Sequence, residues 1–216
     1  MEYRLADRMA GARGSIIRDL LKLAGEPGMI SFGGGSPAPE SFPVAEIRRS
    51  AEEILMKKPA AMLQYGISEG YPPLRESLKD HLSKTEGISF EDNEVLILSG
   101  GQQCADLTAK LFVNLGGTVI VEDPSFVGCM NAFRSYGGKL LGVKMQEDGV
   151  DLEKLEEAFA RPQVSFFYLI PTFQNPSGYT TSLEKRRAIY RLAIKYDVII
   201  FEDNPYGELR FEGEHV

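Results

Sequence analysis

Apolar positions recur along this chain in two rhythms. From Val95 onward, short β-branched and aromatic runs alternate with longer segments whose apolar residues return every three or four positions. The runs predict strands at Val95–Leu98, Val119–Val121, Leu140–Val143, Val164–Ile170 and Val198–Phe201. The periodic segments predict helices at Gln102–Asn114, Phe126–Tyr136, Leu152–Ala160 and Leu183–Tyr196. Strands this apolar, alternating with helices, predict an α/β fold with a largely parallel sheet and helices on both faces.

Before Val95 the pattern is looser. Ser15 is placed to cap a short helix to Ala24, in which Ile16, Leu20 and Leu23 share a face and Gly25 is the stop. Met29 to Phe32 leads into Gly33-Gly34-Gly35-Ser36-Pro37-Ala38-Pro39, which reads as a loop. Pro43 opens a helix to about Lys58, and Pro72 and Pro73 open another to about Thr85, where proline is tolerated.

Composition narrows the partners. At 216 residues and 43% hydrophobic, the chain is long enough to bury a substantial core. A net charge of −7 argues against nucleic acid, whose phosphates attract basic patches. The basic cluster Lys185, Arg186, Arg187 and Arg191 falls on a predicted helix and is expected to be a solvated face. No run approaches the ~20 apolar residues of a membrane span, and the N-terminus lacks the apolar core of a signal peptide, so a cytoplasmic location is expected. Cys104 and Cys129 have no metal-ligand spacing and are expected as free, packed thiols. His81 and His215 have no catalytic or metal partner in sequence.

The candidate chemistry sits where strands end. Ser99-Gly100-Gly101-Gln102-Gln103 joins a predicted strand to a helix, so the free N–H groups of the first turn favour a phosphate. The next strand closes on Asp123-Pro124-Ser125-Phe126, which offers an aromatic face. Gln174-Asn175-Pro176-Ser177-Gly178 and Glu202-Asp203-Asn204-Pro205-Tyr206 follow two further apolar runs. Ligands of α/β sheets sit beyond the carboxyl ends of strands. There an amide and a phenol suit a ring oxygen, and a carboxylate suits a ring nitrogen.

These motifs, with Tyr65-Gly66, Gly70, Leu74 and Arg75, occur in the order and approximate spacing of class I/II aminotransferases of fold type I. The chain resembles that pyridoxal 5′-phosphate (PLP) family from about Ser15 to its last residue. Its N-terminal helix and Gly-Gly-x-Pro-Ala-Pro loop resemble the branch containing 2-aminoadipate and kynurenine aminotransferases. The resemblance implies that Gly100, Gly101 and Gln102 hold the cofactor phosphate and that Phe126 stacks on the ring. It implies that Asn175 and Tyr206 bond the ring oxygen, and that Asp203 pairs with the pyridinium nitrogen as the catalytic carboxylate. It implies a cis Asn175–Pro176 bond. Tyr65 is implied to serve the neighbouring subunit of a homodimer. Ser15, Arg18, Gly34 and Asn175 are implied to contact the amino acid and 2-oxo acid substrates.

The departure concerns lysine. The family's Schiff-base lysine follows the aspartate, but here the last lysine is Lys195. The catalytic lysine is therefore expected to lie outside this chain. The chain is expected to be an N-terminal fragment, inactive alone: an arm and part of a small domain over 1–58, then an incomplete PLP-binding domain over 59–216, the C-terminal remainder absent. Two other readings stay open, the effector-sensing module of a MocR-type transcription regulator and a fold-type I lyase or decarboxylase.

Overall fold

A computed structural model describes residues 4, 6, 28–30 and 37–216. Ser15, Arg18 and Gly34 lie outside the described residues. The chain divides into two compact units, the first within Arg13–Leu98 and the second holding Ser99–Val216. The expected domain boundary at 58/59 falls inside the first.

In the first unit a 3₁₀ turn at Pro39–Ser41 precedes helices α1 (Val44–Lys57), α2 (Pro59–Leu63) and α3 (Pro72–Thr85). Prolines in the first turns of α2 and α3 occupy positions whose N–H would have no helical acceptor. The sequence pattern missed α2 and expected a strand at Val95–Leu98, which does not form. The backbone groups of that segment are spent elsewhere: Arg75 Nε donates to the Val95 carbonyl at 2.7 Å, and the Ile97 N–H bonds the Glu69 carbonyl at 3.0 Å. Gly70 permits the approach, because a Cβ there would fall 2.4 Å from Ile97 Cγ1.

The second unit holds α4 (Gly101–Phe112), β1 (Thr118–Asp123), α5 (Val127–Ser135), β2 (Lys139–Gln146), β3 (Gly149–Val150), α6 (Leu152–Phe159), β4 (Val164–Leu169), α7 (Leu183–Tyr196) and β5 (Ile200–Glu202). The sheet order is β3-β2-β1-β4-β5, parallel throughout except for the β2–β3 pair. The short β3 hairpin arm was not visible in the pattern. Strand β5 starts two residues later than expected because Val198 still belongs to the helix end. Its N–H bonds the Ala193 carbonyl at 2.9 Å, and Asp197 turns left-handed at φ 53°.

Strand alternation builds two cores. Val119, Val121, Phe166 and Tyr168 face Ala105 and Ala109 of α4 and Cys129, Ala132 and Phe133 of α5. Ile120, Val143, Phe167 and Leu169 face Leu155, Ala158 and Phe159 of α6 and Ile189 and Ala193 of α7. The alanines let α4 and α5 lie close to the sheet. Burying each such phenylalanine contributes roughly 2–3 kcal/mol. Helices thus cover both faces, as the apolar strands required.

One surface expectation is corrected. Lys185 is only 8% exposed; its Nζ meets Asp148 Oδ1 at 2.8 Å and the Gly149 carbonyl at 3.3 Å. Arg186 is half-buried, donating to the carbonyls of Thr181 and Pro171 at 2.9 and 3.1 Å. Only Arg187 and Arg191 of that cluster stand in solvent. Long stems packed under a charged tip look, in sequence, like an exposed cationic face.

Candidate functional site

Three loops leave the sheet at the carboxyl ends of its parallel strands. After β1, a cis Asp123–Pro124 bond leads through buried Ser125 to Phe126, which caps α5. After β4, the chain passes through Gln174 and a cis Asn175–Pro176 bond. After β5 comes Asp203, whose N–H bonds the Leu169 carbonyl at 2.8 Å and so keeps it in register with β4.

Gly101, Gln102, Phe126, Asn175, Asp203 and Tyr206 line one cavity of about 280 Å³, together with Cys129, Ile170 and Pro205. Gly100 is the N-cap of α4 at φ 89°, beside this lining rather than in it. The N–H groups that open α4 have no acceptor within the helix. Among the described residues, a Cβ at Gly100 or Gly101 would meet nothing within 4 Å. Gly128 is different, since a Cβ there would fall 2.6 Å from the Phe126 ring, so this glycine makes room for the aromatic face. Asn175 Nδ2 donates to Tyr206 Oη at 3.1 Å.

Sequence reasoning missed the support beneath this lining. Gln174 is buried and joins two loops: its Nε2 donates to Glu122 Oε2 at 3.1 Å and to the Pro124 carbonyl at 2.8 Å. Its Oε1 accepts from the Ser177 N–H and hydroxyl at 2.9 and 2.6 Å. Glu122, 1% exposed, also accepts the Ile170 N–H at 3.1 Å. Burial pushes its carboxyl up to about 7, against the pull of the Gln174 and Ile170 donors. The Tyr168 hydroxyl donates to Asp203 Oδ2 at 2.6 Å, and Cys129 Sγ lies 3.9 Å from the same oxygen. A carboxylate closing an apolar strand and a tyrosine inside another were the available signals, because buried polar tips need partners.

The arrangement suits a flat, anionic heteroaromatic molecule. The start of α4 borders the cavity and suits an anion, Phe126 offers a ring face, Asn175 and Tyr206 offer an amide and a phenol, and Asp203 offers a carboxylate. Tyr65 belongs to the first unit and is 99% exposed. Among the described residues no cluster of His, Cys, Asp and Glu is arranged to hold a metal, and no helix is long and apolar enough to cross a membrane.

Residues 27–216 match the sequence profile of "Aminotransferase class I and II". The chain belongs to the class I and II aminotransferases. It is 43% identical to the 2-aminoadipate transaminase of Thermus thermophilus over 197 residues, covering 91% of this chain and 48% of that protein. It superposes on the crystal structure of Pyrococcus horikoshii kynurenine aminotransferase, a complex with PMP, with a TM-score of 0.91. That match has 39% identity and covers 98% of this chain and 53% of the other. A more distant family likeness, 30% identity over 187 residues, reaches the uncharacterized HTH-type transcriptional regulator YcxD of Bacillus subtilis, covering 86% of this chain and 42% of that protein. This class I/II chain thus spans about half the length of the relatives it matches.

Proposed function

We propose that this chain forms the cofactor-holding part of a PLP-dependent aminotransferase that moves an amino group between an amino acid and a 2-oxo acid. The observation that carries the reading is convergence: the phosphate-type glycine, the aromatic, the amide, the phenol and the carboxylate share one cavity at the strand ends. The residues fit the cofactor. Gly101 and Gln102, with Gly100 behind them, would hold its phosphate at the start of α4, where open space remains above both glycines. Phe126 would face the ring, Asn175 and Tyr206 its oxygen, and Asp203 its nitrogen.

When bound, PLP supplies an electron sink for the charge left at an amino acid's Cα after proton loss. Asp203 serves that chemistry by keeping a proton at the ring nitrogen, since a nearby carboxylate favours the charged form of a base. Asn175 donates to Tyr206 Oη, which occupies a lone pair and leaves the phenol proton free to point at a ligand oxygen. Ser15, Arg18 and Gly34, with Asn175, are the proposed substrate contacts. Tyr65 is proposed to act in the neighbouring subunit of a homodimer, a reading its near-complete exposure supports. A cytoplasmic site of action is proposed as well, consistent with two unpaired thiols.

Calorimetry of the full chain with pyridoxamine 5′-phosphate, which has no aldehyde to react with surface lysines, is expected to show one saturable site. The reaction itself is tested in a hybrid in which this chain replaces the matching half of the Thermus thermophilus transaminase. There Asp203→Ala should lower amino-group exchange by roughly a hundredfold or more, while cofactor retention falls far less. No binding by the chain, or an equal loss of both properties in the hybrid, overturns the proposal.

A further inference from the structure

The carboxylate proposed to face the ring nitrogen is not held by its own strand alone. Tyr168 lies one strand away on β4, where the parallel register pairs it with Phe201. Its ring is wholly buried and wedged between aromatic neighbours, 5.4 Å from Phe133 edge-on and 5.5 Å from Phe201 tilted. Phe133 in turn packs edge-on against Phe166 at 5.1 Å. A phenol so caged has little rotational freedom, and its oxygen is delivered 2.6 Å from Asp203 Oδ2. Cys129, from α5, approaches that same oxygen at 3.9 Å. Among the described residues both contacts fall on Oδ2 of a carboxylate that lines the cavity.

We infer that Tyr168 is a positioning residue for the proposed cofactor chemistry: its hydroxyl fixes Asp203 through Oδ2 so that Oδ1 meets the ring nitrogen. The inference rests on the PLP reading above. The hydroxyl is a dependable donor, because burial, reinforced by its bond to Asp203, holds it above the ordinary phenol range and so protonated at neutral pH. Cys129 is also protonated there, pushed up to about 11 by burial and the nearness of Asp203. The groups that contact Asp203 Oδ2 are therefore neutral donors, Tyr168 from β4 and Cys129 from α5, and Tyr206 lines the same cavity.

Tyr168→Phe tests this, because it keeps the ring in its aromatic cage and removes only the oxygen. The probes are pyridoxamine 5′-phosphate and its analogue with CH in place of the ring nitrogen, titrated by calorimetry into the full chain and into Tyr168→Phe, Asp203→Asn and the double variant. The unaltered chain should prefer the nitrogen-bearing probe. Tyr168→Phe should shrink that preference by roughly tenfold, the worth of one hydrogen bond to a charged group. In the Asp203→Asn background, Tyr168→Phe should shrink it no further. A merely structural role would weaken both probes alike and leave their ratio unchanged, and that result overturns the inference. So would a loss of preference that persists undiminished in the Asp203→Asn background. If the unaltered chain binds both probes equally, the reading of Asp203 as the nitrogen's partner fails, and the role of Tyr168 falls with it.

Discussion

Glu122 illustrates at the scale of one residue how much the site depends on groups that never touch its ligand. Its carboxyl is buried at the end of β1: Oε2 accepts from Ile170 and Gln174, while Oε1 has no partner among the described residues. Desolvation of the anion therefore outweighs the donors, and the carboxyl is raised from 4.5 to about 7. The sign follows from proton counting. The native state holds this proton more tightly than the unfolded chain does, so stability declines as pH rises through the interval between those two values and is flat above it. Asp148 and Glu156 lie below their ordinary range, each mainly through a lysine hydrogen bond, so their contribution is lost on the acid side instead. Glu122→Gln removes only the first effect. Urea unfolding of the full chain and the variant, from about pH 5 to about pH 8, should show the variant gaining about 2–3 kcal/mol relative to the parent as pH rises. Parallel curves would show that Glu122 is already ionised when folded. Asp203, Asn175 and Tyr206 were readable because they stand in short motifs at strand ends. Glu122 and Tyr168 were not, because a carboxylate closing one apolar run and a tyrosine inside another show no partner until the sheet register supplies it.

At the scale of the element, the start of α4 separates two uses of glycine. Gly100 needs its positive φ, a conformation a side chain resists. Gly101 does not; it is helical, and a Cβ there meets no described residue within 4 Å, only open space. If that space belongs to a phosphate, Gly101→Ala should leave thermal unfolding of the chain within about 1 kcal/mol of the parent, or raise it, since alanine is the better helix former. The same change should weaken pyridoxamine 5′-phosphate by roughly tenfold in calorimetry, because the helix N-terminus can no longer be approached closely. Undiminished affinity would move the phosphate away from α4. The elements themselves were largely legible: α3 and α7 run where the periodicity placed them, and the parallel order follows from apolar strands separated by helices. What failed was local. Val95–Leu98 has strand composition, but Arg75 and Glu69 take backbone groups that a neighbouring strand would have used, and periodicity cannot see that competition.

At the scale of the molecule, the two units differ in how they use their apolar residues. The second buries its own on both faces of a sheet. The first leaves an amphipathic stripe uncovered: Val44, Ile47 and Ile54 recur at helical spacing on α1, and none of that helix's residues is buried. Met56 beyond them is 85% exposed, and Leu63 of α2 is 76% exposed. Isolated apolar side chains on a surface need no explanation, but a contiguous stripe with neighbours on a second helix is the mark of an association surface. The proposed homodimer supplies an occupant, and with Tyr65 just beyond α2 the same unit would then carry a side chain into the other subunit's site. Sedimentation equilibrium of the full chain should therefore show reversible self-association. Ile47→Asp with Ile54→Asp should weaken it at least tenfold, because two charges would have to be desolvated on contact. A chain that stays monomeric at every concentration, or a double variant that associates as the parent does, would remove α1 from the interface and leave the exposure of Tyr65 without a partner to explain it.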